Sequence, residues 1–455
     1  MKIKLNSKSL IVGQLFFCLC LGVCSSYSQQ SLSLKEVEEM VVSKNLDIQI
    51  SDNEYSMARN DQKASYMRLL PNLNINGEAF KATGRIFDDV SGTVRTETGE
   101  FLEIFAGFNW DVLNILKNVS SIKSTRNAAL MQKNRLESMK DEMVLNAVGR
   151  YLEILQNQKQ DTIFLEFYNV QERNLNRTEE MIKVGALPGQ DYYTQKTELS
   201  RLKSVKVENL NTINNKKNEL LLLLNLEAGT AISLEDVNVD EKLISEIETF
   251  DMDYLSGIAS KKRYDIKSQE FEVETRKYEL SEARSAYYPS ISVFYNYGSN
   301  FSSFQPSNFQ DQFYDENVAQ SYGIRMTIPI FNGLKARNEV YKSKKTFESA
   351  KLSLEQFKNE AYTQISNTLS TLKANNERRG YRQDQFNAAK KAFEMEEERY
   401  YLGAGDPRDL ANAQRDYIEA ALLLNQVNYQ ILYNIYELKY FSGQIREKNI
   451  NLGLD

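Results

Sequence analysis

Two residue types on which many enzymes rely, histidine and cysteine, are absent from this chain or confined to its N-terminus. It contains no histidine, and its three cysteines, Cys18, Cys20 and Cys24, all lie near the N-terminus. Ordinary zinc sites, Ser-His-Asp triads and Cys-His dyads need these side chains, so the sequence excludes them. An enzyme would have to work with carboxylates, lysine, tyrosine or serine alone. We therefore predict no catalytic, cofactor-binding or metal-binding residues.

The 62 acidic residues leave one enzyme class open, a glycosidase that uses a pair of carboxylates. The acids are spread along predicted helices, however, as in the run Glu396-Glu397-Glu398-Arg399. Runs of this kind are typical of solvent-exposed helix faces. No glycine-rich pocket loops lie between predicted strands and helices, so this hypothesis is the weakest of those considered.

Two aspartates lie at matching positions after predicted turns. Asp191 follows Gly185 by six residues, and Asp409 follows Gly403 by six. Each glycine is predicted to end one helix, and each aspartate falls in the first turn of the next, where its charge suits the helix dipole. The aspartates either only stabilise these helix starts or act at the tips. The two predicted tips are 184–189 and 402–407.

A constant offset of 218 residues relates the two halves of the chain. It connects Pro71 with Pro289, Asn114 with Asn332, and Asp47 with Asp265, as well as the two glycines and the two aspartates. One structural unit therefore occurs twice. The predicted divisions are repeat 1 (29–230), an inter-repeat linker (231–249), repeat 2 (250–443) and a C-terminal tail (444–455).

Each repeat is predicted to contain a long helical hairpin. Residues 115–183 form one helix of roughly 100 Å, with shorter helices over about 34–66 and 190–226. Its apolar residues follow spacings of three and four in a narrow stripe, which indicates coiled-coil packing. The stripe comprises Leu136, Met139, Met143, Ala147, Tyr151 and Ile154, and its second copy comprises Leu354, Phe357, Ala361, Ile365, Leu369 and Leu372.

Each repeat also contains two predicted strands, at about 71–114 and 289–332. Apolar residues there alternate with polar or small ones, as Ile104, Ala106 and Phe108 do. The pattern fits a half-buried soluble hairpin or a transmembrane β-barrel. Four strands cannot close a barrel, so a barrel requires several copies, and three copies give twelve strands. The loops at about 87–100 and 299–320 are then extracellular, and Trp110, Tyr287 and Tyr288 suit the interfacial girdle.

The N-terminal residues 1–28 are predicted to be a signal peptide. Three lysines precede an apolar run over 10–23, and Ser26-Tyr27-Ser28 forms a cleavage site. Removing Lys2, Lys4 and Lys8 changes the net charge from −6 to −9, which disfavours nucleic acid as a partner. An alternative is lipidation at Cys24, although Val23 occupies a position that favours a smaller residue. Either route exports the protein from the bacterial cytoplasm.

Three motifs resemble those of the outer membrane efflux (TolC-like) family. They are Leu70-Pro71-Asn72-Leu73, the run from Ile328 to Gly333, and Tyr400-x-x-Gly403 followed by Asp409-Leu410. The resemblance implies a mainly α fold with a membrane β-barrel, built from two tandem repeats. It implies a homotrimer whose 12-stranded barrel sits on an α-helical periplasmic tunnel in the outer membrane of a Gram-negative bacterium.

The resemblance also implies a function and partners. The chain would be a passive exit duct of a tripartite efflux or type I secretion system, carrying small molecules or polypeptides. Its partners would be two further copies of itself, outer membrane lipid, a periplasmic adaptor and, through the adaptor, an inner membrane pump. The alternative is a non-channel periplasmic coiled-coil adaptor or scaffold. An adaptor has one hairpin, whereas this chain has two.

By resemblance, the tips and their neighbours are the functional residues. Asp191 and Asp409 are candidates for the closed inner aperture, and Tyr400 is an aromatic residue able to hydrogen-bond to Asp191. The tips depart from the family pattern because Leu187, Pro188 and Asp406 stand where small residues, serine or threonine are usual. The residues implied in adaptor docking are Val184, Gly185, Ala186 and Leu187, and Leu402, Gly403, Ala404 and Gly405.

Overall fold

The structure is a computed structural model that describes residues 30–88, 92–112, 115–237 and 247–447. The predicted signal peptide, Cys24, Asn114 and positions 448–455 of the predicted tail lie outside the described residues. So do positions 238–246 of the predicted linker.

The first half of the described chain alternates strands with helices. Its elements are β1 (Gln30–Leu32), α1 (Leu34–Lys44), α2 (Leu46–Met67), β2 (Asn72–Asp88), β3 (Thr93–Asp111), α3 (Ile115–Lys183) and α4 (Gly189–Leu223). The third helix has the bounds that the sequence predicts. Ser33 begins α1 with a capping box, because its hydroxyl accepts from the Glu36 N–H while the Glu36 carboxylate accepts from the Ser33 N–H.

The second half repeats this order after a short strand. Its elements are β4 (Ile232–Leu234), α5 (Met252–Lys262), α6 (Tyr264–Arg284), β5 (Ser290–Ser302), β6 (Ala319–Thr327), α7 (Lys335–Tyr401) and α8 (Pro407–Phe441). A 3₁₀ turn precedes α5, and two short helical turns lie between β5 and β6. No helix among the described residues combines the length and hydropathy needed to cross a membrane.

The backbone confirms the repeat at positions where helices end. Asn225 and Gly443 lie 218 residues apart, and both have positive φ, of 51° and 75°. The helix predicted over 34–66 is instead broken into α1 and α2 at Asn45, and the matching break falls at Arg263. Both breaking residues have extended ψ values, of 134° and 123°. The duplication therefore extends to local conformation.

The described residues divide into two compact units. The tip unit comprises 30–45, 144–237 and 374–433. The sheet unit comprises 46–88, 92–112, 115–143, 247–373 and 434–447. Helices α3, α7 and α8 each contribute residues to both units.

The tip unit contains a small parallel sheet that the sequence did not predict. Residues Gln30–Leu32 pair with Ile232–Leu234, which lie inside the predicted linker. The side chain of Tyr151 is fully buried, and its hydroxyl lies 3.0 Å from the carbonyl oxygen of Leu32 and 2.7 Å from that of Glu235. A tyrosine of the predicted stripe therefore fixes this sheet to α3.

The sheet unit contains one antiparallel sheet in the order β2-β3-β5-β6. Directly opposite residues on neighbouring strands share a face, so the register assigns each side chain to one side. The apolar face carries Leu73, Ile75, Ile104, Phe108, Trp110, Val293, Tyr295, Tyr297, Tyr322, Ile324 and Met326. The polar face carries Asn72, Asn74, Asn76, Glu78, Glu103, Asn109, Ser292, Asn296, Ser321 and Arg325. This register confirms the alternation predicted from the sequence.

Two details of the sheet differ from the prediction. Most of the predicted loop at 87–100 is strand, because β2 continues to Asp88 and β3 already begins at Thr93. The alternation predicted through Ile330 ends earlier, since β6 stops at Thr327. Pro329 follows closely, and a proline has no N–H to donate to a neighbouring strand.

Candidate functional site

The two predicted tips form the same kind of turn. The N–H groups of Gly185 and Ala186 donate to carbonyl oxygens near the end of α3, at 2.9 and 2.8 Å. The N–H groups of Gly403 and Ala404 do the same at the end of α7, at 3.1 and 3.0 Å. Both glycines have positive φ, of 77° and 74°. Each helix therefore ends in a Schellman-type motif that glycine favours.

Each tip presents one apolar side chain to solvent at the same place. Val184 is 79% exposed and Leu402 is 77% exposed, directly before the two glycines. Ala186, Gly403 and Ala404 are exposed as well. Exposed apolar side chains at matched positions could form part of a protein-binding surface.

The two tips differ in the residues that follow Gly185 in one tip and Gly403 in the other. Leu187 is half-buried and packs against a cluster of Phe393, Tyr400 and Leu410. In the other tip, a Cβ atom on Gly405 would lie 2.7 Å from the backbone nitrogen of Tyr400. One tip is therefore held by a leucine side chain, and the other by close backbone approach that only glycine permits.

A group of side chains connects α3 with α7 just before the tips. We call it the tyrosine clasp, and it consists of Asn174, Arg177, Thr178, Tyr400 and Tyr401. The Arg177 guanidinium lies 4.0 Å from the centre of the Tyr401 ring and donates to the Tyr401 carbonyl oxygen at 2.8 Å. The Tyr401 hydroxyl donates to Asn174 Oδ1 at 3.0 Å, and the hydroxyls of Tyr400 and Thr178 hydrogen-bond to each other. The clasp thus connects the two repeats.

The clasp changes the role expected for Tyr400. The hydrogen bond that the structure gives this hydroxyl is with Thr178, whereas Asp191 was the expected partner. The pKa of Tyr400 is raised, mainly because the side chain is buried and also because of the negative charge of Asp191. Asp191 therefore acts on Tyr400 electrostatically although it is not its hydrogen-bond partner. Thr178 faces Tyr400 directly from the neighbouring helix and is fully buried.

The two candidate aspartates have different surroundings. Asp191 is half-buried, and its pKa is raised by this burial and by the negative charge of Asp406, while Arg408 opposes the shift. Asp409 is exposed in the first turn of α8. The side chain that begins this helix is Asp406, whose carboxylate accepts from the Arg408 N–H at 2.8 Å. Stabilising the start of α8 therefore depends at least partly on Asp406.

The sequence reasoning missed Asn174, Arg177 and Thr178. Arg177 and Thr178 lie three and four residues after Asn174 on one face of α3, about two to three turns before the predicted tip. Their equivalents in the second repeat are Ala392, Met395 and Glu396, so the copies differ here. That local difference between the repeats is the signal that could have identified the clasp.

A comparison with known protein families finds a match for part of this chain. Residues 255–444, which make up most of the second repeat, match the sequence model of the outer membrane efflux protein family. This match over 190 of the 455 residues confirms the resemblance to the outer membrane efflux family that the sequence motifs carry. The matched family comprises outer membrane channels rather than enzymes, which supports the predicted outer membrane location. Among curated protein sequences, none matches the chain significantly.

Solved structures share the fold of this chain over nearly its whole length. The CmeC outer membrane channel of Campylobacter jejuni has a TM-score of 0.79 at 17% identity, covering 92% of this chain and 87% of CmeC. VceC of Vibrio cholerae has a TM-score of 0.78 at 13% identity, covering 90% and 96%. The open state of the Neisseria gonorrhoeae MtrE channel has a TM-score of 0.73 at 15% identity, covering 92% and 91%. At these identities the likeness establishes the fold.

Proposed function

We propose that this efflux protein is one third of a trimeric, passive exit duct of a tripartite efflux or secretion system. Three copies share a twelve-stranded barrel in the outer membrane, and their helical hairpins line a tunnel in the periplasm. The observation that carries the proposal is the four-stranded sheet, which has an exposed apolar face and a free edge at β2 and at β6. Adding further copies at these edges is the way such a sheet closes.

The apolar face extends over most of the height of the apolar band of transmembrane barrels, which is about 25 Å. From Leu102 to Trp110 it runs roughly 27 Å along β3, or about 20 Å at the tilt usual in barrels. On the same face, the Lys81–Glu100 ion pair at 2.9 Å marks one boundary. At the other end, Trp110 Nε1 donates to the carbonyl oxygen of Leu69 at 2.9 Å. Leu73 and Ile75 between these limits are 71% and 74% exposed, which favours lipid as their partner.

The alternative, a periplasmic adaptor or scaffold, is not supported by the family match. Fractionation of the cell envelope separates the two. The duct is expected in the outer membrane and, without heating, should migrate on a gel at about three times the mass of the chain. Recovery as a monomer in the soluble periplasmic fraction would support the adaptor instead.

The tips are proposed to dock on a periplasmic adaptor, which connects the duct to an inner membrane pump. Support comes from the exposure of Val184 and Leu402 at equivalent places in the two repeats. A photo-crosslinking residue at Ala186 or Ala404 should capture an adaptor in cells. The same probe at Lys390, an exposed residue of α7 (Lys335–Tyr401), is the control. Equal capture from all three positions would refute docking at the tips.

Asp191, Tyr400 and Asp409 are proposed to lie at the closed inner aperture. The assignment rests on the matched positions of these residues, and the charge of Asp191 acts on Tyr400 although Thr178 forms the hydrogen bond to its hydroxyl. Replacing Asp409 by alanine should increase single-channel conductance. Unchanged conductance in a correctly assembled trimer would refute the proposed position of Asp409 at the aperture.

A further inference from the structure

The polar face of the sheet contains phenylalanine rings that lie on glycines of the neighbouring strand. Phe294 is directly opposite Gly323, and a Cβ on this glycine would lie 3.0 Å from the ring. Phe105 covers Gly298 in the same way. Because glycine has no side chain, each ring can lie close to the backbone of the neighbouring strand.

Arg325 completes one of these pairs. Its guanidinium lies 5.1 Å from the centre of the Phe294 ring, in a cation–π contact, and its side chain is exposed. Among the described residues, no carboxylate forms an ion pair with it. The acid in the same cross-strand row is Asp111, separated from Arg325 by Ser292 on the strand between them. The backbones of these two residues are two strand spacings apart, about 9.6 Å, and their side chains form no ion pair in the described structure.

Neutral hydrogen-bonding groups surround this arginine and ring. Asn109 lies opposite Phe294, and Asn296 Nδ2 donates to the Ser321 hydroxyl at 3.4 Å in the next row. Three adjacent strands therefore bring a ring, a guanidinium, amides and a hydroxyl together on one face. We call the group formed by Phe294, Gly323 and Arg325, with Asn296 and Ser321, the arginine shelf.

We propose that the arginine shelf is a binding site for aromatic carboxylates that pass through the duct. The planar guanidinium can donate two parallel hydrogen bonds to a carboxylate, and no acid among the described residues of its own chain is paired with it. The Phe294 ring offers an apolar surface for an aromatic ring, and the amides satisfy polar substituents. This inference rests on the proposed function, since the polar face lines the lumen only if the barrel closes.

The test is block of ion current through the purified full-length trimer in a planar lipid bilayer. The probe is 2-naphthoate, compared with cyclohexanecarboxylate, which has the charge but no aromatic ring, and with neutral 2-naphthylmethanol. We expect 2-naphthoate to block at about tenfold lower concentration than either comparison compound. Arg325→Gln and Phe294→Leu should each weaken the 2-naphthoate block severalfold to tenfold, and Arg325→Lys should restore only part of it.

Arg85→Gln is the matched control, because Arg85 is an exposed arginine of β2 beyond the boundary set by Lys81 and Glu100. It should leave the block unchanged. Equal block of the wild type and Arg325→Gln, or equal block by 2-naphthoate and cyclohexanecarboxylate, would overturn the proposed site while the duct itself still conducts. Absence of any current through the wild-type trimer would instead count against the proposed function. Arg325 is exposed and Phe294 is half-buried, so the variants at these two positions are expected to fold.

Discussion

At the scale of single residues, the second tip depends on one close contact. Gly405 approaches the backbone of Tyr400 so closely that no larger residue fits without movement. Gly189, at the start of α4 in the first tip, has open space where its Cβ would be. The two glycines therefore offer a matched comparison between a required glycine and a replaceable one.

Gly405→Ala is expected to destabilise the second tip locally by about 1–3 kcal/mol, as overpacking of a tight contact usually does. Limited proteolysis of the purified protein should then cleave within 402–407 faster than in the wild type. Gly189→Ala should leave the cleavage rate of its own tip unchanged. Equal rates for Gly405→Ala and wild type would show that the backbone yields easily there.

Asp191 gives the first tip a dependence on pH. Burial and Asp406 raise the pKa of Asp191, so the folded tip favours its protonated form. The stabilisation of the folded tip by protonated Asp191 is complete below the ordinary aspartate pKa of about 3.9. It is lost as the pH rises through the raised pKa that Asp191 has in the folded tip. Asp191→Asn should therefore protect amides near 184–195 at neutral pH, and this advantage should fade in acid.

Hydrogen exchange, expressed as protection factors, measures this difference. Asp384→Asn, at an exposed position on α7, provides the control and should not change the protection of the tip. A neutral-pH protection that is lower in Asp191→Asn than in the wild type would mean that the charged carboxylate stabilises the tip instead.

At the scale of elements, the clasp couples α3 to α7. Arg177→Gln removes both the contact with the Tyr401 ring and the hydrogen bond to its carbonyl oxygen, together worth about 1 kcal/mol at an exposed position. We expect looser hairpins and a higher single-channel conductance. Lys183→Gln is the control, because Lys183 forms its ion pairs with Glu179 and Glu180 of its own helix. A conductance increase in both variants alike would argue that lost charge, rather than the clasp, is responsible.

The strands permit a second matched pair of variants. Ile75 and Asn74 are neighbours on β2 but lie on opposite faces. Ile75→Lys should cost about 2–4 kcal/mol if its face contacts lipid near the bilayer centre, whereas Asn74→Lys should cost much less. The amount of heat-modifiable oligomer in the outer membrane measures the effect. Similar losses from both substitutions would contradict the assignment of the faces.

The sequence predicted some elements well because their signals are local or periodic. The helix Ile115–Lys183 has no proline and a continuous apolar stripe, and the two strand regions alternate residue by residue. The clasp was missed because the packing of helices from different repeats decides whether Tyr400 hydrogen-bonds to Thr178 or to Asp191. The pairing of Gln30–Leu32 with Ile232–Leu234 was missed because it joins three-residue segments that are about 200 residues apart. No local pattern specifies such a pairing.

At the scale of the whole molecule, the duplication and the unclosed sheet lead to the same conclusion. Each repeat supplies one helical hairpin and two strands, and among the described strands β2 and β6 lie at the two edges of the sheet. The two tips share their turn geometry but differ in Leu187 and Gly405, so a trimer would present two kinds of tip. A partner that binds both kinds of tip must therefore fit two different surfaces, one with Leu187 and one with Gly405.

The most direct test of the duct is electrical recording from purified oligomer in a planar bilayer. The barrel and tunnel predict discrete current steps of uniform size, one for each inserted trimer. A preparation of Ile75→Lys, which should fail to assemble, should give no steps. Correctly assembled wild-type oligomer that inserts into the bilayer without producing any steps would contradict the proposed duct.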